Sequence, residues 1–412
     1  MPCHTIVHRQ DWFLEERYRA RAGKEEPGFL DRSFELHFNE RPFLNHFPYL
    51  FITRTTKERM RQQSNFSVLC RGHILPREVR DKDGVLRFLE AVEQFERIIG
   101  DSGLIRLERL TTEEITGKGK EAGLVEKYFS LSQEDTTTLE DIRLGGSEMR
   151  VGDKRLSVHT LSDADDLPAA VRTDGRRYEK FSTDRSDCRL SFAAPVGLLL
   201  PYNHIYNQYV FIDDPAETLR HFEKTVRNMR SLSRYSRANE INRQWAEEYL
   251  NEAHSFGLVP VRCHCNVMAW SEDRERLRNI RNDTGSALAQ MGCKPRHNTV
   301  DAPTLYWAAI PGGEGDFPAE ESFHTFIEQA ACLFIGETNY ASSLSPFGIK
   351  MADRLGGRPI HLDISDEPMR RGITTNRNKF ILGPSGSGKS FFTNHLVRNY
   401  YCLLYTSPSP RD

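Results

Sequence analysis

The sequence predicts a mixed α/β (α+β) N-terminal domain followed by the truncated start of a second α/β unit. Three observations carry that expectation. Three stretches share one rhythm of apolar strand, polar turn and charged amphipathic helix: PYLFITRTTKERMRQQ (48–63), QYVFIDDPAETLRHFEKTVRNM (208–229) and NVMAWSEDRERLRNIRNDTGSALAQM (266–291). Helix starts are chemically marked, as where Asp214 offers its carboxylate to free N–H groups and Pro215 suits the first helical position. Finally, KFIL, a glycine-rich turn and a helical pattern follow one another over 379–401.

Taken in order, a helix is expected at 84–99, where Val85, Phe88, Leu89, Val92, Phe95 and Ile99 recur at helical spacing, and a strand at 104–110. After Pro215, Leu219, Phe222, Val226 and Met229 mark one helix face. A second helix is expected at 237–255, a strand at 257–264, a strand at 305–310 and a helix at 320–335. The segment 341–378 is rich in Gly, Pro and charge and contains one alternating strand pattern, RPIHLDIS (358–365). The expected organisation is therefore a domain over 1–340, a connection over 341–378, the opening of a second domain over 379–401, and a tail over 402–412.

Composition narrows the function classes. Of 412 residues, 38% are hydrophobic and 28% charged, enough apolar material for a sizeable core. Lysine and arginine total 56 against 58 acidic residues, so the net charge of -2 gives no global field for nucleic acid or anionic membrane. Eight cysteines show no regular framework, which points to reduced thiols and a cytoplasmic setting. The longest apolar run, Phe192–Leu200, contains a proline and is too short to span a bilayer. Peripheral attachment to a membrane complex stays open.

The strongest motif is Gly383-Pro384-Ser385-Gly386-Ser387-Gly388-Lys389-Ser390, which satisfies G-x-x-x-x-G-K-[ST] at every position. Glycines let the backbone curl so that successive N–H groups converge on a phosphate. Lys389 is placed to reach the β- and γ-phosphates, Ser390 to present its hydroxyl to Mg²⁺, and the following helix to add its positive end. Hydrolysis needs more: a carboxylate at the end of a second strand and a group that orients water. Nothing after Ser390 supplies either, so the motor domain is expected to be cut short. The tail CLLYTSPSPRD resembles translated read-through of a sequencing adaptor, and MPCHTIVH lacks a conventional start, so a cut is expected at both ends.

With the motif placed, SSLSPFGIKMADRLGGRPIHLDISDEPMRRGITTNRNKFILGPSGSGKSFFTNHLVRNYY resembles the TraG-type conjugation ATPases of conjugative transposons, large cytoplasmic ATPases of type IV secretion systems. DRSDCRLSFAAPVGLLLPYNHIYNQYVFIDDPAETL, RHNTVDAPTLYWAAIPGGEGDFPAEESF and FNERPFLNHFPYLF resemble the same family, so the likeness extends over 4–401. The resemblance implies a RecA-like motor of the HerA/FtsK type behind a family-specific N-terminal domain. It also implies ATP with Mg²⁺, homo-oligomers at the inner-membrane base of a transfer channel, and contacts with other components of that apparatus. Only Gly383, Gly386, Gly388, Lys389 and Ser390 carry a family role over. The choice of ATP over GTP rests on the family alone.

Weaker signals have ordinary explanations beside functional ones. Arg227, Arg230, Arg234 and Arg237 fall at i, i+3, i+7 and i+10, so one helix face would carry four guanidinium groups near Tyr235. Such a stripe suits DNA phosphates, but a solvated face partnered by glutamates is the commoner outcome. Cys263 and Cys265 lie two apart in a strand pattern, which puts both thiols on one face and His264 on the other, without a zinc knuckle's turn. His37 and His46 have no further ligands in view. Asp363, Asp366 and Glu367 read as strand end and turn cap rather than as an acid/base pair. Two other functions compete with the motor. A small kinase would place the loop near its N-terminus, whereas a docking scaffold of the transfer apparatus, without hydrolysis of its own, fits this chain as it stands.

Overall fold

The computed structural model describes residues 3–18, 29–39, 41–56, 81–133, 140–144, 148–172, 174–184, 186–232, 235–345 and 348–406. In chain order, β1 (Cys3–Glu16), α1 (Phe29–Asn39) and β2 (Phe43–Thr56) come first. Next are α2 (Lys82–Asp101), α3 (Thr112–Thr116), α4 (Leu124–Ser130), β3 (Ile142–Arg143), β4 (Met149–Val151) and β5 (Lys154–Leu161). They are followed by β6 (Arg176–Arg177), β7 (Arg189–Leu190), β8 (His204–Ile212), α5 (Pro215–Leu232), α6 (Arg237–Phe256) and β9 (Pro260–Ser271). Then come α7 (Arg274–Gln290), β10 (Arg296–Asn298), α8 (Ala302–Ala308), β11 (Phe323–Phe326) and α9 (Ile327–Ala331). The last are β12 (Ile349–Ala352), β13 (Pro359–Leu362), α10 (Asp366–Arg370) and α11 (Lys389–Thr406). Two compact units form: Met1–Trp12 with Phe47–Glu337, and Phe13–His46 with Thr338–Asp412.

The larger unit is organised by one sheet. Among the described residues its strands run β2-β1-β8-β9-β5-β4-β3, with β10 beside β5 and β11 beside β9. The pairs β8–β9, β5–β9, β4–β5, β3–β4, β5–β10 and β9–β11 are antiparallel. Of the two classes the sequence leaves open, α+β is therefore the one that forms. Strand β8 is buried from His204 to Phe211, and β9 is buried over most of its length. With both faces covered, polar side chains on these strands must find partners inside.

Several do so in one connected network, while Tyr206 and Gln208 bond the carbonyls of Leu333 and Ala330. His8 is hydrogen-bonded through Nδ1 to Glu314 and through Nε2 to Asn207, both at 3.0 Å. Gln10 donates to Asn207 (3.0 Å) and to the carbonyl of Ala309 (2.8 Å), and accepts from Trp12 Nε1 (2.8 Å). Asn207 donates to Asn266 (2.9 Å), which bonds His264 (3.0 Å), and Thr53 donates to Glu314 (2.7 Å). Tyr209 stacks on the His8 ring at 4.0 Å. Burial holds the His264 imidazole down at about 3, and its Nδ1 bonds the carbonyl of Glu321.

Helices α5 and α6 form a hairpin. Asp214 caps α5 by accepting from Ala216 N–H (2.9 Å), as its sequence position predicts. Phe222 and Val226 then pack with Ala246, Tyr249, Ala253 and Phe326. At the end of α6, Gly257 takes φ 64°, which an L side chain resists, and closes the helix with a bond to Ala253.

Several elements differ from expectation. The stretch 305–310 lies across the end of α8, because Pro303 sits in the first turn of a helix that begins at Ala302. The expected helix at 320–335 is strand β11 followed by the short α9, since pairing with β9 claims Phe323–Phe326. Residues 104–110 form neither helix nor strand, and 257–271 contains the single long strand β9. The helix expected after β2 lies outside the described residues. Cys263 and Cys265 are buried free thiols, and no metal-binding group of His, Cys, Asp or Glu occurs among the described residues. Among the described residues no helix is long and apolar enough to cross a membrane.

Two expectations follow. All four tryptophans (12, 245, 270 and 307) lie in the larger unit, so their fluorescence reports its unfolding. Glu314 and His8 are fully buried, so Glu314→Ala should cost about 3–5 kcal/mol in urea denaturation. A loss below about 1 kcal/mol would mean that the network does not hold this unit together. The second concerns Asp213. Burial alone would raise its carboxyl, but hydrogen bonds from His4 and Arg262 and the Arg262 charge outweigh burial and hold it well below the ordinary range. Its contribution is complete above the unfolded value of about 4 and is lost as pH falls below it. Asp213→Asn should flatten the fall in Tm between pH 5 and pH 3, and an unchanged slope would refute the assignment.

Candidate functional site

The site is built in the smaller unit from a hairpin, a short helix, a turn and a long helix. Strands β12 and β13 pair antiparallel from Ile349↔Leu362 to Ala352↔Pro359. Beyond β13, Asp363 accepts from the N–H groups of Ser365 (2.9 Å), Asp366 (2.9 Å) and Glu367 (3.1 Å). Burial works against its charge, but these backbone bonds, with Ser345, hold its carboxyl below the ordinary value. Asp363 thus caps α10, the structural role its sequence context favours over acid/base chemistry.

The expected strand Lys379–Leu382 does not pair. Phe380 and Leu382 are 89% and 84% exposed, and the stretch joins no ladder of the β12–β13 hairpin. Lys379 is held instead by its side chain, which donates to Ser365 Oγ at 2.7 Å, while Ser365 Oγ shares a 2.6 Å bond with Tyr400. This cluster ties the approach to the turn onto α10 and α11. Sequence reading does not reveal it, since its members stand 14 to 35 residues apart.

The turn itself depends on its glycines. Gly386 and Gly388 take φ 77° and 82°. At Gly383 an added Cβ would lie 2.5 Å from Ser387 Oγ, so a side chain there would displace the turn's own serine. Ser387 N–H donates to Pro384 O at 3.3 Å. Lys389 reaches back across the turn and donates to the carbonyls of Gly383 (2.8 Å) and Pro384 (2.7 Å). Helix α11 starts at Lys389, with Phe392 N–H bonded to Gly388 O at 2.9 Å. The N–H groups of Lys389, Ser390 and Phe391 therefore lie ahead of the helical ladder, at its positive end. Ser385 and Ser390 are exposed beside them.

Helix α11 is seated on the hairpin. His395 bonds the carbonyl of Lys350 at 3.2 Å, Leu396 is buried, and Arg398 lies 4.7 Å from the centre of the Phe29 ring. Lys350 pairs with Asp31 and sits over Phe34 at 5.0 Å. The eight turn residues are thus brought together on a fixed base, with backbone N–H groups and one ammonium directed to the same end of a helix. That is a donor set suited to an anion of several oxygens.

The arginine stripe is not formed as the spacing suggests. Arg227 and Arg230 belong to α5, which ends at Leu232, whereas Arg237 opens α6. Arg234 lies outside the described residues. Arg230 stands 3.9 Å from Glu247 of α6, so the hairpin turn, which helical spacing alone cannot foresee, divides the expected face. His46 stacks on Phe13 at 4.4 Å and bonds Thr338, and His37 lies on α1 beside Arg41.

Comparison with known families shows that residues 348–404 are similar to the TraG P-loop domain. The matched stretch takes in the β12–β13 hairpin, α10, the turn and nearly all of α11. No curated protein matches the chain.

The glycine geometry yields an expectation. Gly388→Ala places a side chain in the left-handed region at a cost of about 1–2 kcal/mol. It should weaken binding of a nucleoside triphosphate by about tenfold. Gly357→Ala, at φ 71° in the β12–β13 turn, carries similar strain away from the loop and should leave affinity unchanged. Equal effects of the two, read by equilibrium dialysis, would show that the loop has no special role.

Proposed function

We propose that this chain is part of an ATP-driven motor of conjugative transfer, of the type IV secretion kind, and that Gly383–Ser390 holds the nucleotide's phosphates. The observation that carries the reading is a complete G-x-x-x-x-G-K-S turn with two left-handed glycines at the open end of a helix, inside the stretch similar to the TraG P-loop domain. The residues present fit the group. Phosphate oxygens would take the N–H groups at the start of α11, Lys389 would exchange its carbonyl partners for the β- and γ-phosphates, and Ser390 would face Mg²⁺. When bound, MgATP supplies a phosphoanhydride whose cleavage can drive mechanical work.

The activity assigned to these residues is binding. Hydrolysis also requires a carboxylate for the Mg²⁺ shell and a group that positions water, and no residue is assigned to either role. The antiparallel sheet unit is proposed to dock to components of the transfer apparatus. Homo-oligomers in the cytoplasm, peripheral to the inner membrane, complete the reading.

The test is binding of a fluorescent ATP analogue to the full chain with and without Mg²⁺. Lys389→Ala removes the only side-chain charge of the turn and should weaken binding at least about tenfold, with secondary structure unchanged. Equal binding by parent and variant would overturn the proposal. Competition by unlabelled ATP and GTP reads the base preference, which the turn itself does not set.

A further inference from the structure

We propose that the connected end of the α5–α6 hairpin is a docking surface for an anionic lipid bilayer. This deepens the reading of a chain peripheral to the inner membrane and rests on that reading for its setting. Charge is divided along the hairpin. From Lys224 to Arg243, around the connection, the sequence holds six basic residues and one acidic residue, Glu240. Over the rest of 214–256 the numbers reverse, with six acidic residues and one basic residue, Arg220. Glu240 is engaged by Arg243 at 2.7 Å, and Arg230 stands 3.9 Å from Glu247. Arg227 and Arg237 are exposed, and among the described residues neither meets a carboxylate.

The same end carries apolar side chains left in large part to solvent. Leu232, which closes α5, is 50% exposed, and Tyr235 in the connection is 85% exposed. Ile241 and Trp245 are 55% and 41% exposed and lie one turn apart on one face of α6. A lipid headgroup layer answers both features. Its phosphates attract guanidinium groups, its boundary with the acyl chains takes leucine and isoleucine, and tyrosine and tryptophan favour that interface. Trp245 lies about 12 Å along the axis from the start of α6. A hairpin tilted with its connection downward therefore brings all four residues near the depth of about 5–10 Å at which interfacial helices rest. The acidic half is repelled by the same surface, which fixes the direction of approach. A nucleic acid would take the arginines but leave Leu232 and Ile241 in water.

The test is flotation of the full chain, without nucleotide, with vesicles of phosphatidylcholine alone or with about 30% phosphatidylglycerol. Binding should require the anionic lipid, weaken as salt rises and shift tryptophan emission to the blue, with Trp245→Phe removing most of the shift. Arg227→Gln with Arg237→Gln should weaken binding at least about tenfold, since each basic residue near such a surface contributes about fivefold. Leu232→Gln with Ile241→Gln keeps every charge, alters exposed positions alone, and should also weaken binding at least about tenfold. Equal binding to both vesicle types, or a double variant that binds as the parent does, would overturn the inference. So would a chain that takes up short DNA but ignores the vesicles, which would assign the hairpin to nucleic acid. Failure to float while the ATP analogue still binds sinks this inference and leaves the nucleotide site standing.

Discussion

The larger unit depends on a constraint set by its own central strands. Strands β8 and β9 are covered on both faces, so a polar side chain they carry is costly unless it is answered from within. Asn207 meets that demand by joining His8 and Gln10 of β1 on one side and Asn266 of β9 on the other. Glu314 adds β2 through Thr53 and ties in the loop that carries it. A slip of one residue in any of these strands would turn a hydrogen-bonded amide toward apolar neighbours and strand its partners. The network therefore sets register as well as stability. The rest of the unit, from the α5–α6 hairpin to the packing of α7, is arranged around strands whose alignment is already fixed.

The smaller unit works by a different economy. Its turn is held by local devices: positive φ at Gly386 and Gly388, a lysine folded over two carbonyls, and a helix that begins where the turn ends. What is not local is the seat of α11, which rests on a hairpin and on α1 through His395, Arg398 and Lys350. A phosphate-binding turn needs this seat, because the direction of its N–H groups is the direction of the helix that follows.

What the sequence made legible follows the same division. Local chemistry was readable: Asp214 before Pro215, the 3.6-residue spacing of Phe222 and Val226, the capping by Asp363, and the glycines of the turn. Elements decided by distant partners were not. Phe323–Phe326 looks like part of a helix until β9 is there to pair with it, and Lys379–Leu382 looks like a strand but has no neighbour. The arginine spacing was read along one helix, whereas a hairpin turn intervenes before Arg237. The network around His8 joins residues 199 and 306 positions apart, and nothing in either segment alone announces the other. The family likeness read along most of the chain is matched by the family model at 348–404 only.

The place of β1 between β2 and β8 has a consequence for synthesis on the ribosome. About 200 residues separate β1 from β8, so at roughly 5–20 residues per second its partner emerges some 10–40 s after it does. During that interval β1 has β2 as a neighbour but its other edge stays open in a crowded cell, and an open strand edge invites aggregation. Its buried side chains include His8, Gln10 and Asp11 as well as Trp12 and Phe13. The polar groups that later complete the core thus spend the waiting period as solubilising groups, and a β1 rewritten with purely apolar residues would lose that protection before β8 arrived.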